Sequence, residues 1–279
     1  MARSVSWRTR EAEIRKNEAM QKRHTDRQRY FHELENTSRE FYLHYLSSHQ
    51  RLAAGMNVLE VGCGDGGNLV PFAQMGCRVT GMDIAQCRIN DAQAYFSGIS
   101  PDATFICCDF FKCQPPRQEA DKYDVILLHD VIEHIPDKAR FMLQLKAFLK
   151  STGVLFVGFP AWQMPFGGHQ QICRSAVCSH LPFIHLLPVA LYKGVLRAFG
   201  EKDDIVNELL SIKRTRTSIE TFERIVGECR FTVEDRVLWF VNPHYKQKFH
   251  MKPRRLWRWI YPIKYLRNFV TTSCWYLLK

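Results

Sequence analysis

One stretch, NVLEVGCGDGGN from Asn57 to Asn68, constrains this chain more than any other. Val58, Leu59, Glu60 and Val61 form an apolar run broken by one acid, which suits a buried parallel strand with a polar tip. Gly62, Gly64 and Gly66 follow at once, so the backbone can turn tightly and approach a ligand before a helix starts near Asn68. An ordinary strand-to-helix connection also uses glycine, so the turn alone decides little. The next predicted strand, Arg78 to Ile84, ends around Asp83, about 20 residues after Gly62, the spacing at which an acid meets ribose hydroxyls. Together they predict a ligand containing a nucleoside. The turn reads G-x-G-x-G and no Lys-Ser/Thr pair closes it, which argues against a dinucleotide or a triphosphate.

The surrounding pattern alternates strand and helix. Strands are predicted near 57–62, 78–83, 103–107, 123–128 and 152–158, with helices near 67–75, 86–97 and 137–149. Such alternation, with right-handed crossovers, builds a doubly wound parallel sheet of the Rossmann-like α/β class. Phe231 to Val241 and Ser273 to Leu278 bring the sheet to seven strands, the last expected antiparallel at its edge. Ligands in these sheets sit at the strands' carboxyl ends, where Gly62, Asp83, Asp109 and His129 all fall.

Residues 1–52 read as a basic helical region and 53–279 as the α/β domain, with a helical insertion at about 160–216 and a basic one at about 242–268. The first opens with FPAWQMPFGGHQQ, a predicted pocket wall. Its apolar run Leu181 to Phe199 is interrupted by His185, Pro188, Lys193 and Arg197 and is too short to span a bilayer. Thr217 and Glu220 read as a capping box for the next helix. An aromatic stripe of Tyr30, Phe31, Phe41, Tyr42 and Tyr45 fits either a cover over the ligand mouth or core packing.

Charge is concentrated at the ends. Residues 1–30 hold nine Lys/Arg and four Asp/Glu, and 243–279 hold nine Lys/Arg and no acid, so the middle is slightly acidic within a total of +11. That distribution suggests contact with an anionic surface, phospholipid or nucleic acid, or else solvated tails. The ten cysteines are scattered, with no CxxC pair and no secretory leader ahead of them, which predicts a reducing cytoplasm. His169, Cys173, Cys178 and His180 cluster in sequence, but their spacing matches no usual zinc pattern.

Four motifs in order, E-V-G-C-G-D-G-G, G-M-D-I, C-D-F at Cys108 to Phe110, and Y-D-V-I-L-L-H-D-V-I-E-H from Tyr123 to His134, resemble the class I S-adenosylmethionine-dependent methyltransferases. The resemblance covers residues 55–160 and implies S-adenosyl-L-methionine as cofactor. It implies that amides around Gly62, Cys63 and Gly64 face the methionine moiety, with Glu60 fixing its amino end. Asp83 would hold the ribose, Asp109 the adenine amino group, and Ile84 and Phe110 would sandwich the adenine ring, with His129 at the same crevice.

Methyl transfer requires an attacking atom aligned with the sulfonium methyl in a dry site, plus a base for the acceptor proton. His129, His134 and His169 are the candidates, because histidine titrates near neutral pH. Asp130, Glu133 and His134 also form D-x-x-E-H, similar to the E-x-x-E-H segment of the quinone-biosynthesis O-methyltransferases, which implies a divalent cation such as Mg²⁺. Helix capping by the same residues is the alternative. The expected acceptor is a small molecule or lipid-linked amphiphile, such as a quinone precursor or sugar, methylated on oxygen. The basic segment 246–267 would be either a lid or a contact with an anionic membrane at its inner face. The alternative is an RNA or DNA methyltransferase, against which the fourth strand ends in H-D-V-I and not in N/D-P-P-Y/F. A catalytically silent binding module is a third option, disfavoured by the intact cofactor motifs.

Overall fold

In the computed structural model, residues 26–100 and 102–279 are described, so the basic segment ahead of Asp26, expected as a frayed helix, lies outside the described residues. Helix α1 (Arg27–Thr37) starts at Asp26, whose carboxylate accepts from the Arg29 N–H. At Ser38–Tyr42 the helix widens into a π turn and continues as α2 (Leu43–His49). The widening lets Ser38 Oγ donate to the Asn68 carbonyl at 2.7 Å, pinning the helix onto the glycine turn. The aromatic stripe divides accordingly. Phe31, Tyr42 and Tyr45 are core, while Tyr30 stays half-exposed over the crevice.

The chain then runs β1 (Asn57–Val61), a 3₁₀ turn at Gly67–Leu69, α3 (Val70–Gln74), β2 (Arg78–Asp83), α4 (Gln86–Phe96), β3 (Thr104–Cys107), β4 (Tyr123–His129), α5 (Lys138–Phe148) and β5 (Leu149–Phe159). The first insertion follows with α6 (Ala176–His180), α7 (Val189–Ala198) and α8 (Asp203–Thr215). After it come α9 (Ile219–Glu228), β6 (Val233–Val241), α10 (His244–Phe249), β7 (Arg254–Arg255), α11 (Leu266–Phe269) and β8 (Ser273–Leu278).

The sheet order is β3-β2-β1-β4-β5-β8-β6-β7, with β1 to β5 parallel and β8 antiparallel to both neighbours. Two expectations are corrected. The sheet has eight strands and not seven, because the basic insertion folds back and pairs Arg254 and Arg255 with the edge of β6. The last strand is interior and not at the edge. All six of its residues, Ser273 to Leu278, are buried, which explains its unbroken aromatic and apolar sequence.

Both faces of the sheet are covered. One carries α5 and α9 through Phe141, Leu145, Phe222 and Ile225; the other carries the α1–α2 helix, α3 and α4 through Tyr42, Leu46, Phe72 and Phe96. Gly67 sits where α1 crosses the turn after β1. A Cβ there would lie 2.5 Å from the Phe31 carbonyl oxygen and 2.9 Å from Leu34 Cβ, so only glycine permits this approach. The first insertion has its own small core of Cys178, Tyr192, Leu196, Val206 and Leu209. Its exit is capped one residue later than expected. Ser218 Oγ accepts from the Thr221 N–H at 3.1 Å, which frees Glu220 for Arg267, Asn268 and the Tyr265 N–H. No helix among the described residues is long and apolar enough to cross a membrane.

Candidate active site

A cavity of about 230 Å³ opens at the carboxyl ends of β1, β2 and β4, lined among others by Glu60, Gly62, Gly64, Asn68, Asp83 and His129. Three buried polar atoms of its lining have no hydrogen-bond partner: Glu60 Oε2, Asn68 Oδ1 and His129 Nε2. Glu60 is fully enclosed and its other oxygen accepts from Asn68 Nδ2 at 2.7 Å. Burial pushes its carboxyl up to about 8, and only the Asn68 bond counters that. Buried polar atoms are normally satisfied, so converging orphans mark the place of a polar ligand. Two acceptors beside a carboxyl group that ionises near 8 suit a cationic amino group, and the amino-acid end of S-adenosyl-L-methionine supplies one.

The amides of the glycine turn, expected around the methionine moiety, have partners within the protein. The Gly62 and Cys63 N–H groups both donate to the Met82 carbonyl, at 2.7 and 3.0 Å, and the Gly64 N–H donates to Asp83 Oδ2 at 2.9 Å. These amides tie β1 to the end of β2, so their N–H groups are already engaged within the protein. Gly62 has φ +73°, and a Cβ on it would meet Val131 Cγ2 at 2.4 Å, so the requirement for glycine is steric. Asp83 accepts a second bond from the Ala85 N–H at 2.9 Å, which aims its carboxylate while leaving lone pairs for a ribose.

Phe110 departs from its expected role. Its ring is buried, with centroids 5.4 Å from Phe141 and 4.9 Å from Phe148, so it is a core residue and not one face of an adenine sandwich. Ile84 is 74% exposed at the end of β2 and remains free to cover a base. The Asp109 carboxylate accepts from the Phe111 N–H at 3.1 Å and caps the 3₁₀ turn that holds this loop.

A second cavity, of about 270 Å³, adjoins the first, and Tyr30, Arg88 and Asp130 line both. Its outer wall comes from Met164, Phe166, His169, His244, Tyr245 and Lys248. Asp130 has φ +54°, an unusual conformation outside glycine. The segment after β4 is therefore a turn followed by a 3₁₀ turn at Ile132–His134 and not an α-helix. Asp130 thus stands apart from Glu133 and His134, with which it was expected to hold a cation, and its Oδ2 lies 3.6 Å from His129 Nδ1.

The loop after β5 supplies what Asp130 does not. Glu133 Oε1 lies 3.9 Å from His134 Nε2 and 3.8 Å from His169 Nε2, and the two imidazoles meet edge to face at 5.1 Å. These three residues form the one His/Cys/Asp/Glu group, among the described residues, whose donor atoms all lie within 4.8 Å. Neither Glu133 oxygen has a hydrogen-bond partner. Burial, reinforced by the Asp130 charge, holds the Glu133 carboxyl well above its ordinary range. Burial also lowers His134, and lowers His169 to about 4 with the help of neighbouring His134. Both rings are therefore neutral, the form that accepts a proton or binds a cation. The sequence cluster of His169, Cys173, Cys178 and His180 is dispersed: both cysteines enter the core of the insertion, and His180 Nδ1 bonds the Ala176 carbonyl.

Several lining residues carried no recognised signal. Asn242, His244 and Tyr245 follow β6, far along the chain from the glycine turn, yet all three line the second cavity. The chain reaches it because Thr37 Oγ1 on α1 meets His244 Nδ1 at 3.1 Å, drawing α10 over the crevice.

A doubly wound sheet with β1 to β5 parallel and β8 antiparallel, and a cavity of orphaned polar atoms at the glycine turn, define a class I S-adenosylmethionine-dependent methyltransferase. The profile described as a methyltransferase domain matches residues 28–170, just over half of the chain, and the chain belongs to that family. It is 31% identical over 126 residues to a ubiquinone biosynthesis O-methyltransferase of Bartonella quintana, covering 43% of this chain and 49% of the relative. The corresponding enzyme of Stutzerimonas stutzeri is 30% identical over 147 residues, 52% of this chain and 61% of the relative. The chain thus spans about half the length of these curated relatives. Among solved structures, magnesium protoporphyrin IX methyltransferase from Synechocystis PCC 6803 with bound SAH shares the fold. Its TM-score is 0.52 and its identity 16%, over 88% of this chain and 82% of that one.

Proposed function

We propose that the protein transfers the methyl group of S-adenosyl-L-methionine to a hydroxyl oxygen of a small amphiphilic acceptor, a phenolic quinone precursor being the best fit. The observation that carries this reading is the pair of adjoining cavities sharing Tyr30, Arg88 and Asp130. A cofactor anchored at Glu60 would point its sulfonium toward that shared wall, and an acceptor between Phe166 and Tyr245 would meet it there. Enclosure excludes water and fixes the approach, which is most of what methyl transfer needs. Support for an oxygen acceptor comes from the names of the curated relatives and from the neutral imidazole of His169, which lines the acceptor cavity and accepts the hydroxyl proton.

A second reading of the same cluster is favoured by the two unpartnered oxygens of Glu133. Glu133, His134 and His169 would then hold a divalent cation, which when bound would polarise the acceptor oxygen. Nucleic acid is not favoured, because the acceptor cavity holds only about 270 Å³ and Glu33 and Asp130 stand in its wall. The test is incubation with methyl-labelled cofactor and separated phenolic, sugar, lipid and RNA fractions. Label is expected in the phenolic or lipid fraction as an alkali-stable ether; label confined to RNA would overturn the reading.

A further inference from the structure

The basic insertion between β6 and β8 divides into two parts with different environments. Its beginning, α10, lies over the acceptor cavity through His244, Tyr245 and Lys248. Its remainder, 251–266, turns large apolar side chains outward. Leu256 and Ile260 are buried and anchor the segment, while Trp257 is 48% exposed, Trp259 69% and Tyr265 66%. This is an apolar surface that a water-soluble chain normally hides.

It continues onto the first insertion. Phe183 and Phe269, both exposed, approach to 6.3 Å between ring centroids, and Leu181, Val189 and Leu191 of that insertion are exposed as well. Phe183 is held by its N–H to the Pro165 carbonyl at 2.8 Å, beside Phe166 of the cavity wall. On the other side, exposed Phe249 and Met251 follow directly after Lys248, another wall residue. Both stretches are thus joined through the chain to the wall of the acceptor cavity. Phe183 and Tyr265 are both exposed at positive φ, +65° and +64°, and His250 between Phe249 and Met251 has φ +56°. Positive φ is costly outside glycine, so the fold holds each of these segments in a strained turn.

Charge on this face has one sign. Lys252, Arg254, Arg258 and Lys264 are exposed and have no acidic partner within 4 Å among the described residues, and 243–279 contains no acid. Exposed tryptophan and tyrosine interleaved with unpaired cations match the headgroup level of a bilayer with acidic lipids. We infer that residues 251–266, together with the exposed aromatics of the first insertion, dock the protein onto an anionic membrane surface with the acceptor cavity opening toward the lipid. The surface lies beyond residues 28–170, the segment that matches the family. Only the orientation of the cavity rests on the acceptor reading given above; the docking itself is measured without turnover.

The full chain is floated with vesicles of phosphatidylcholine, with and without phosphatidylglycerol, at low and high salt. Binding is expected on the anionic vesicles only, weakened by salt. Arg254→Glu/Arg258→Glu/Lys264→Glu should lose at least fivefold per charge, a figure of about 1 kcal/mol each. Trp259→Ala/Tyr265→Ala should reduce binding even at low salt while leaving the melting temperature and cofactor affinity unchanged, since both rings are mostly exposed. Equal recovery on neutral vesicles, recovery on neither, stronger retention on RNA, or a self-associated dimer that shields Trp259 would each overturn the proposal. Failure of methyl transfer with docking intact would count against the acceptor reading alone.

Discussion

At the residue scale, Glu60 and His169 make opposite use of burial. Glu60 is held protonated by enclosure, with its carboxyl at about 8, and a cationic amino group would pull it into the ionised form. Cofactor binding at pH 7 should therefore release close to one proton, and affinity should climb with pH up to about 8. Calorimetry in buffers of different ionisation enthalpy measures the release. Glu60→Gln should abolish it and weaken binding roughly 10- to 100-fold; unchanged proton release in that variant would remove Glu60 from the cofactor site. His169, lowered to about 4, is neutral throughout the physiological range and is lost as an acceptor only as pH falls through that value. The acid limb of kcat is expected near 4, not near the ordinary 6.5 of histidine. His169→Ala should lower kcat by about 10² to 10⁴ with cofactor affinity intact, because His169 lines only the acceptor cavity. If Glu133 instead helps hold a cation, chelation will abolish turnover and Mn²⁺ will restore it in the native chain but not in Glu133→Gln.

At the scale of elements, the basic insertion is positioned by one buried network. Arg267 is buried and bonds Glu220 Oε1 at 3.0 Å and Glu223 Oε2 at 2.8 Å, while Glu220 also accepts from Asn268 Nδ2 and the Tyr265 N–H. Burial alone would raise the Glu220 carboxyl, but these donors outweigh it and hold it below its ordinary 4.5. A depressed carboxyl stabilises fully above the unfolded value and loses that contribution as pH falls below it, so the insertion should loosen under about pH 4.5. Glu220→Ala should cost roughly 2 to 4 kcal/mol, since it leaves a buried guanidinium half-paired. Urea unfolding reads the loss, and limited proteolysis should cut first between 251 and 266; an unchanged midpoint and cleavage pattern would show that Glu223 alone suffices. This element also marks the limit of sequence reading. The strands of the core were legible because their apolar runs are local and their carboxyl ends converge by topology. Glu220 looked like a capping acid, and Phe110 like a stacking ring, because local spacing does not reveal a partner 47 residues away or a ring turned into the core. His169 was legible as a histidine near the site but not as the partner of Glu133, which depends on how the loop after β5 returns.

At the scale of the whole molecule, the cofactor cavity and the basic insertion differ in the sign of their charge. The cofactor cavity sets three acids, Glu60, Asp83 and Asp130, against the one cation Arg88, a balance that suits a sulfonium and an ammonium, whereas the basic insertion exposes aromatics and cations. An acceptor dissolved in a bilayer is concentrated at the surface where the protein docks, and a water-soluble analogue is not. Kinetics on the two should therefore diverge. With a long-chain phenolic acceptor in anionic vesicles, Arg254→Glu/Arg258→Glu/Lys264→Glu should raise the apparent KM by roughly a hundredfold with little change in kcat, following from about 1 kcal/mol per cation. With a short-chain analogue in free solution the same variant should match the native chain in both constants, because none of the three residues lines either cavity. A matching defect on both acceptors would instead mean that the cations act through the lid formed by α10, and the surface would then serve closure of the site and not delivery of its acceptor.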